Sequence, residues 1–400
     1  MILNNSVRFP NVSKFGEIVL CIFIITVFSV PRALQEIKIS LLFILLVSFI
    51  IIGRINLNIF KANLIYILLY LPPLFVGLLS GNKIEYIFNV VRINIIFPLI
   101  ILFILQQYSL EKLKKIFEGS MIISILVILI IFISSVLNAF SLFSYNFNQF
   151  FYPKEDFVGI HEGYLHVVNS SLSYLIFIIP FFFFGEKFNL GNYKIYVFFV
   201  MLIVAIISGR RILLLPFILV ILFNLKQMIL PILIILLSIF LIVNKNVYSS
   251  FSIDAMTERF KAALEEEGDS EVRGEQSKYF SKYIKDKPII GYGLGSYMPD
   301  YLRSDDMPFA YEKTYDYLFF SMGIPIAVLQ LLFYLFLLIK TFKNYIMIDN
   351  IRFRNAFVIS IISILIASNT NPYWLSSFDY CLPLSLLMRF SENKKAEIYT

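Results

Sequence analysis

Unbroken apolar runs decide what this chain can fold into. From Ile39 to Gly53 only Ser40 and Ser48 interrupt a series of Ile, Leu, Phe and Val, and similar runs recur along the 400 residues. Half-buried strands alternate polar and apolar residues, which these runs do not. A bilayer offers no water to open sheet edges, and a helix needs about 20 apolar residues to cross it, so the runs read as membrane helices. Composition excludes a water-soluble domain: at 59% hydrophobic and 15% charged residues, there are too few polar side chains to coat a surface. The expected fold is an all-α polytopic integral membrane protein, one membrane domain over residues 1–400.

Twelve spans are predicted, near 17–31, 39–53, 62–80, 90–107, 118–138, 167–185, 193–208, 212–225, 227–243, 314–340, 355–368 and 376–389. Spans seven and eight meet at Gly209-Arg210-Arg211 with almost no linker, so they read either as half-helices or as one broken helix. Met1 to Phe15 is polar and no small-residue cleavage pattern follows the first apolar run, so that helix is expected to be retained. Cys21 and Cys381 both lie inside apolar runs and read as buried, reduced thiols.

Basic residues set the expected orientation, because Lys and Arg in short loops stay on the cytoplasmic side. With the amino terminus inside, the inner loops collect Arg8, Lys14, Arg54, Lys112, Lys114, Lys115, Lys187, Lys194 and Lys226, then Lys340, Lys343, Arg352, Arg354, Arg389, Lys394 and Lys395. The carboxyl terminus is then inside as well. Two outer segments exceed turn length: a smaller loop at 139–166 and a large loop at 244–312. The large loop carries a net charge of −4, which leaves +11 of the overall +7 on the remainder. The excess of basic residues is thereby explained by inner loops, and no nucleic-acid partner is expected. Within the large loop, Glu275 to Lys287 places Phe280, Tyr283 and Ile284 on one face and Lys278, Lys282 and Lys285 elsewhere, which predicts a short surface helix ended by Pro288.

Several residues in and around these loops carry chemistry. Arg210 and Arg211 fall on the outer side, where an arginine at membrane depth is costly and is usually retained for a partner; a phosphate is the natural one, and the other reading is that they pair with carboxylates such as Glu312 or snorkel to the interface. Arg259 and Arg273 can complete a diphosphate clamp, since guanidinium forks bind such oxygens in pairs; a solvated surface role beside Glu258 and Glu271 is the other reading. Gly291-Tyr-Gly293-Leu-Gly295 follows a proline and no strand, so it is not a dinucleotide fingerprint. Its glycines allow sharp turns back into the bundle, or present amides to a substrate. Glu312 is expected to head the tenth span, with Asp316 one turn later on the same face. Either carboxylate can take a proton from a sugar hydroxyl, and either can instead stabilise a helix terminus. His161 and His166 are the only histidines and lack metal-ligand spacing; His166 is a candidate substrate contact and no metal site is expected.

Taken in order, these pieces have a family likeness. Ser208-Gly-Arg-Arg211, Glu258-Arg-Phe260, Asp269-Ser-x-x-Arg273, Pro288-Ile-Ile-Gly-Tyr-Gly-Leu-Gly295 and the acid at Glu312 eleven residues before Gly323 resemble the bacterial O-antigen polymerase and O-antigen ligase superfamily. The likeness covers about Gly159 to Gly323 together with the span pattern. It implies a helical bundle with one large periplasmic loop in the bacterial inner membrane, and metal-independent transfer of undecaprenyl-diphosphate-linked glycans without a cofactor. Arg210 or Arg211, with Arg259 and Arg273, would then face the donor diphosphate. Ligases of the superfamily typically have histidine where this chain has Glu312, which tilts the expectation towards polymerase and leaves the base as Glu312 or Asp316. The partners implied are lipid-linked donor and acceptor glycans, the bilayer, a chain-length regulator and a flippase. Two other functions stand beside polymerisation of O-antigen or capsule: transfer of finished glycan to a lipid A core, and lipid-linked oligosaccharide transport. The chain lacks the two related halves common in transporters.

Overall fold

The structure is a computed structural model. It describes residues 10–52, 57–139, 141–152, 157–161, 164–168, 170–184, 200–205, 208, 211–223, 270–302, 307–344, 350–369 and 377–392. The expected ninth span at 227–243 and the candidate residues Arg210 and Arg259 lie outside the described residues.

The described residues are overwhelmingly helical. The first helices are α1 (Pro10–Ser29), α2 (Gln35–Ile52), α3 (Leu57–Leu79), α4 (Ile84–Leu105, with a π turn at Arg92–Ile96) and α5 (Leu110–Ala139). After α6 (Phe147–Phe151) come strands β1 (Phe157–His161) and β2 (Tyr164–Val168), then α7 (Leu175–Phe184) and α8 (Leu215–Phe223). The last part holds α9 (Ser270–Asp286), α10 (Thr314–Met322), α11 (Ile324–Lys343), α12 (Ile351–Ala367) and α13 (Cys381–Phe390). Among the described residues three helices are long and apolar enough to cross a membrane: Ile84–Leu105, Leu110–Asn138 and Ile324–Lys343.

Phenylalanine makes much of the core. Phe28 of α1 stacks on Phe177 of α7 at 4.9 Å, Phe117 of α5 meets Phe181 at 5.0 Å, and Phe357 of α12 meets Phe390 of α13 at 5.0 Å. Such ring contacts hold helices together where lipid weakens the hydrophobic drive between them. The outward faces are apolar too. Ile123, Leu126, Ile130, Ile133 and Leu137 form one exposed stripe at helical spacing along α5, the pattern of a face turned to lipid.

Contacts between connections fall into two sets, one at each end of the bundle. At one end Asn82, in the α3–α4 turn, donates to the carbonyls of Tyr292 and Leu294; Arg32 and Gln35, between α1 and α2, bind Asp379; and Tyr152 donates to Pro31. At the other end Lys112 pairs with Glu17, Lys114 donates to Asn350, and Arg389 donates to the Tyr108 carbonyl. This is the alternation expected of helices threading back and forth.

Four expectations need correction. The stretch 314–340 is two helices rather than one, broken at Gly323, whose φ of 75° no β-carbon tolerates easily. Glu312 therefore does not head a span; it precedes α10, with Lys313 at the capping position. The smaller loop contains a hairpin, with Phe157 opposite Val168 and Gly159 opposite His166, built from β-branched and aromatic residues that favour a pleated surface. The sixth apolar run consequently starts as strand and a 3-10 turn (Ser170–Tyr174) and becomes α-helical only at Leu175.

Candidate functional site

One end of the bundle carries a polar cap made by α9, the strap over 287–302 and 307–313, and α10. Helix α9 follows its apolar periodicity: Phe280 is buried, Tyr283 and Ile284 are half-buried, and Lys278, Lys282 and Lys285 are exposed. Phe280 meets Tyr311 at 5.1 Å and Phe320 at 5.7 Å, and so fixes the helix against both the strap and α10. Tyr292 stacks on Phe320 at 4.9 Å. The helix begins at Ser270, earlier than the expected Glu275.

The glycine-rich turn is a backbone clamp. Tyr292 N–H donates to Phe320 O at 2.9 Å, Gly293 N–H to Ser321 O at 2.8 Å, and Leu294 N–H to Pro73 O at 2.8 Å. From the other side Ile324 N–H donates to Pro288 O at 2.8 Å. Gly293 has φ of 83°, and a β-carbon there would stand 2.1 Å from the Gly77 nitrogen of α3. At Gly295 a β-carbon would stand 2.6 Å from the Ile87 nitrogen of α4. Of the two roles open to these glycines, tight backbone approach is the one this geometry uses. The Gly293 amide already has its acceptor.

The two carboxylates follow the clamp. Glu312 is half-buried, and its carbonyl accepts from Thr314 N–H at 3.0 Å. Asp316, in the first turn of α10, is half-buried and accepts from Ser277 Oγ of α9 at 3.4 Å. Burial pushes the Asp316 carboxyl up from the ordinary carboxylate range, against the opposing pull of Lys313 and the Ser277 hydrogen bond. A partly desolvated carboxylate of this kind is a better proton acceptor than a free one.

Of the arginines, Arg211 opens a 3-10 turn (Arg211–Leu214) leading into α8, and Arg273 lies in the first turn of α9. His166 sits on β2. The structure thus joins Gly293, Gly295, Asp316 and the segment bearing Glu312 in one cap that also contains Arg273 within α9.

Sequence reasoning passed over several residues of this end. Gln276 is fully buried, and its Oε1 accepts from Lys313 N–H at 3.4 Å, tying α9 to the residue beside Glu312. Asn82 holds the clamp from the α3–α4 turn. Lys38 and Asp379 form a fully buried ion pair at 2.5 Å, whose carboxylate also accepts from Arg32 N–H at 2.8 Å and Gln35 Nε2 at 3.2 Å. A lysine entering one apolar run and an aspartate entering another were the available signals, since ionisable groups at such positions pair with one another.

Fold and cap together define a helical protein with membrane-type helices and a polar cap at one end of its bundle. No protein-family model, curated protein or solved structure matches the chain.

Proposed function

We propose that this chain is a multi-pass glycosyltransferase of the O-antigen polymerase kind, extending an undecaprenyl-diphosphate-linked glycan at the outer face of the bacterial cytoplasmic membrane. In this reading twelve spans place the cap and the large loop outside and both termini inside. The observation that carries it is the cap itself: a glycine clamp, an α9 that bears Arg273, and a half-buried Asp316 close in the chain to Glu312.

The reaction needs a base and a sink for negative charge. An acceptor sugar hydroxyl attacks the anomeric carbon of the donor; its proton passes to Asp316 or Glu312 as the new C–O bond forms. The bond from the anomeric carbon to the diphosphate breaks, and the electron pair leaves with undecaprenyl diphosphate. Arg210, Arg211, Arg259 and Arg273 stabilise that charge as it develops, a task for which permanently cationic, forked donors are suited. Polymerase is preferred to ligase because Glu312 stands where ligases have histidine.

Purified protein in nanodiscs, supplied with a synthetic lipid-linked repeat unit, should build a ladder of products. Arg211→Ala or Arg273→Ala should shorten or abolish the ladder at normal protein level, by at least 10-fold in rate for the loss of one charge-assisted contact, about 1.4 kcal/mol or more. Undiminished laddering in both variants would discard the arginine clamp. Transfer of finished chains to a lipid A core, without elongation, would instead identify a ligase.

A further inference from the structure

The surface of the cap beside the clamp is unusual in chemistry. Tyr279 and Tyr283 of α9, Tyr292 of the clamp and Tyr297 and Tyr301 of the strap are all half-buried, with part of each side chain open to the surroundings. Four of them form two ring pairs along the surface. The rings of Tyr279 and Tyr301 lie 5.5 Å apart, and those of Tyr283 and Tyr292 also 5.5 Å apart. Asp300 precedes Tyr301 in the chain and reaches the other pair through its side chain, where a single oxygen, Oδ2, accepts from both Tyr283 Oη and Lys282 Nζ at 2.9 Å. At the far end Asp286 Oδ2 accepts from Tyr292 Oη at 2.5 Å. Among the described residues, the second oxygen of each carboxylate has no protein donor.

An aromatic belt at a membrane interface would explain exposed tyrosines, but not carboxylates set among them. Asp300 is held below the usual carboxylate range by Lys282 and Tyr283, so it stays ionised and has to face water or a polar ligand. Phenol rings offer flat apolar faces rimmed by a polar handle, and an ionised carboxylate oxygen only accepts hydrogen bonds, from hydroxyls among other donors. Sugar rings present the complement of this: C–H faces that lie on aromatic rings and hydroxyl edges that donate to carboxylates. Asp286 and Asp300 are balanced along the row by Lys282, paired with Asp300, and Lys287, 4.5 Å from the Tyr292 ring centroid, so the row offers no net charge to an ionic ligand.

We propose that the tyrosine row with Asp300 and Asp286 is a glycan-holding surface for an uncharged oligosaccharide, separate from the carboxylates and arginines assigned to the reaction. It rests on the reading of the chain as a polysaccharide polymerase only for the source of that glycan. Its role there is to retain the growing chain between additions, which governs product length more than the rate of a single transfer.

The test uses the full-length protein in nanodiscs and a lipid-free probe: the neutral hexasaccharide fraction released by partial hydrolysis of the producing strain's own surface polysaccharide. Saturation-transfer NMR should show the probe bound. Tyr279→Ala with Tyr301→Ala should weaken binding by 10-fold or more, Asp300→Asn should weaken it less, and Tyr301→Phe should retain it, which separates ring loss from misfolding. In the nanodisc polymerisation assay the double alanine variant should give shorter chains with single-addition rate within 2-fold of the parent. Equal binding by the parent and the double alanine variant, or no binding by the parent, overturns the proposal. So does a double variant whose only change is in its seating in the bilayer, read by fluorescence quenching from lipid-borne probes. If the parent binds the hexasaccharide but builds no polymer, the holding surface stands and the polymerase reading fails; the reverse outcome has the opposite meaning.

Discussion

Asp316 is the residue at which stability and activity pull in different directions. Its carboxyl titrates above its unfolded value because burial disfavours the charged form. The folded state therefore holds this proton to higher pH than the unfolded chain does. As pH rises from the unfolded value through the folded one, stability falls, and above the folded value the full cost is present. Asp316→Asn removes the charge and keeps an acceptor for Ser277, so it should leave the thermal midpoint at pH 7 equal to or above that of the parent, while at pH 3 the two converge. If Asp316 is the base, polymer synthesis should fall by about 100-fold or more, the usual contribution of a positioned base. A variant that loses both stability and activity would make Asp316 a structural carboxylate and pass the base to Glu312. Gly293 poses a steric question at the same scale. Gly81 and Gly293 both have positive φ, 74° and 83°, but a β-carbon at Gly81 meets nothing within 4 Å while one at Gly293 meets the α3 backbone at 2.1 Å. Gly81→Ala should cost about 1 to 2 kcal/mol of left-handed strain, and Gly293→Ala clearly more, read as loss of folded protein in detergent. Equal losses would show that the clamp does not need the close approach.

Between elements, the strongest tie outside the cap is the pair Lys38–Asp379, which fastens the start of α2 to the start of α13 across 341 residues of chain. Removing one partner strands the other as a buried charge, so Lys38→Met or Asp379→Asn alone should destabilise by about 3 to 5 kcal/mol. The double variant should recover much of that loss, because the asparagine still accepts from Arg32 N–H and no charge remains. Thermal unfolding of the three variants in one detergent checks this, and simple additivity would remove the pair as a unit. The same pair marks the limit of what the sequence makes legible. Local signals sufficed for helices and for the buried face of α9, because periodicity is written in neighbouring residues. They failed at Gly323, whose break depends on the carbonyls of Pro288 and Ile289 more than thirty residues earlier, and on the Asn82 side chain reaching the clamp from the α3–α4 turn. The polar character of the cap could be read from composition; which backbone its glycines touch could not. His166 lies on a strand that the sequence hides, because the hairpin's residues run from a polar loop straight into an apolar segment.

For the whole molecule, the decisive matter is which end of the bundle faces which compartment. The cap end includes the turns at 30–35 and 80–83 and the strap at 287–302 and 307–313, and its Lys38 is neutralised by Asp379. The opposite end gathers Lys112, Lys114, Lys115, Lys340, Lys343, Arg352, Arg354 and Arg389, whereas the lysines of the cap are interspersed with acidic residues, and on the proposed reading the more basic end is the cytoplasmic one. Single cysteines test it once Cys21→Ser and Cys381→Ala have removed the native thiols. Lys83→Cys and Pro299→Cys lie at exposed positions of the cap end, and Lys115→Cys and Lys343→Cys at exposed positions of the other. In intact spheroplasts a membrane-impermeant maleimide should modify the first two, and the second two only after permeabilisation. A donor whose diphosphate is displayed on the outer leaflet can meet Asp316 and Glu312 only in that orientation. Labelling of Lys115→Cys from outside, with protection of Pro299→Cys, would put the carboxylates on the wrong side of the bilayer for such a donor and end the polymerase reading, whatever the glycan-holding surface binds.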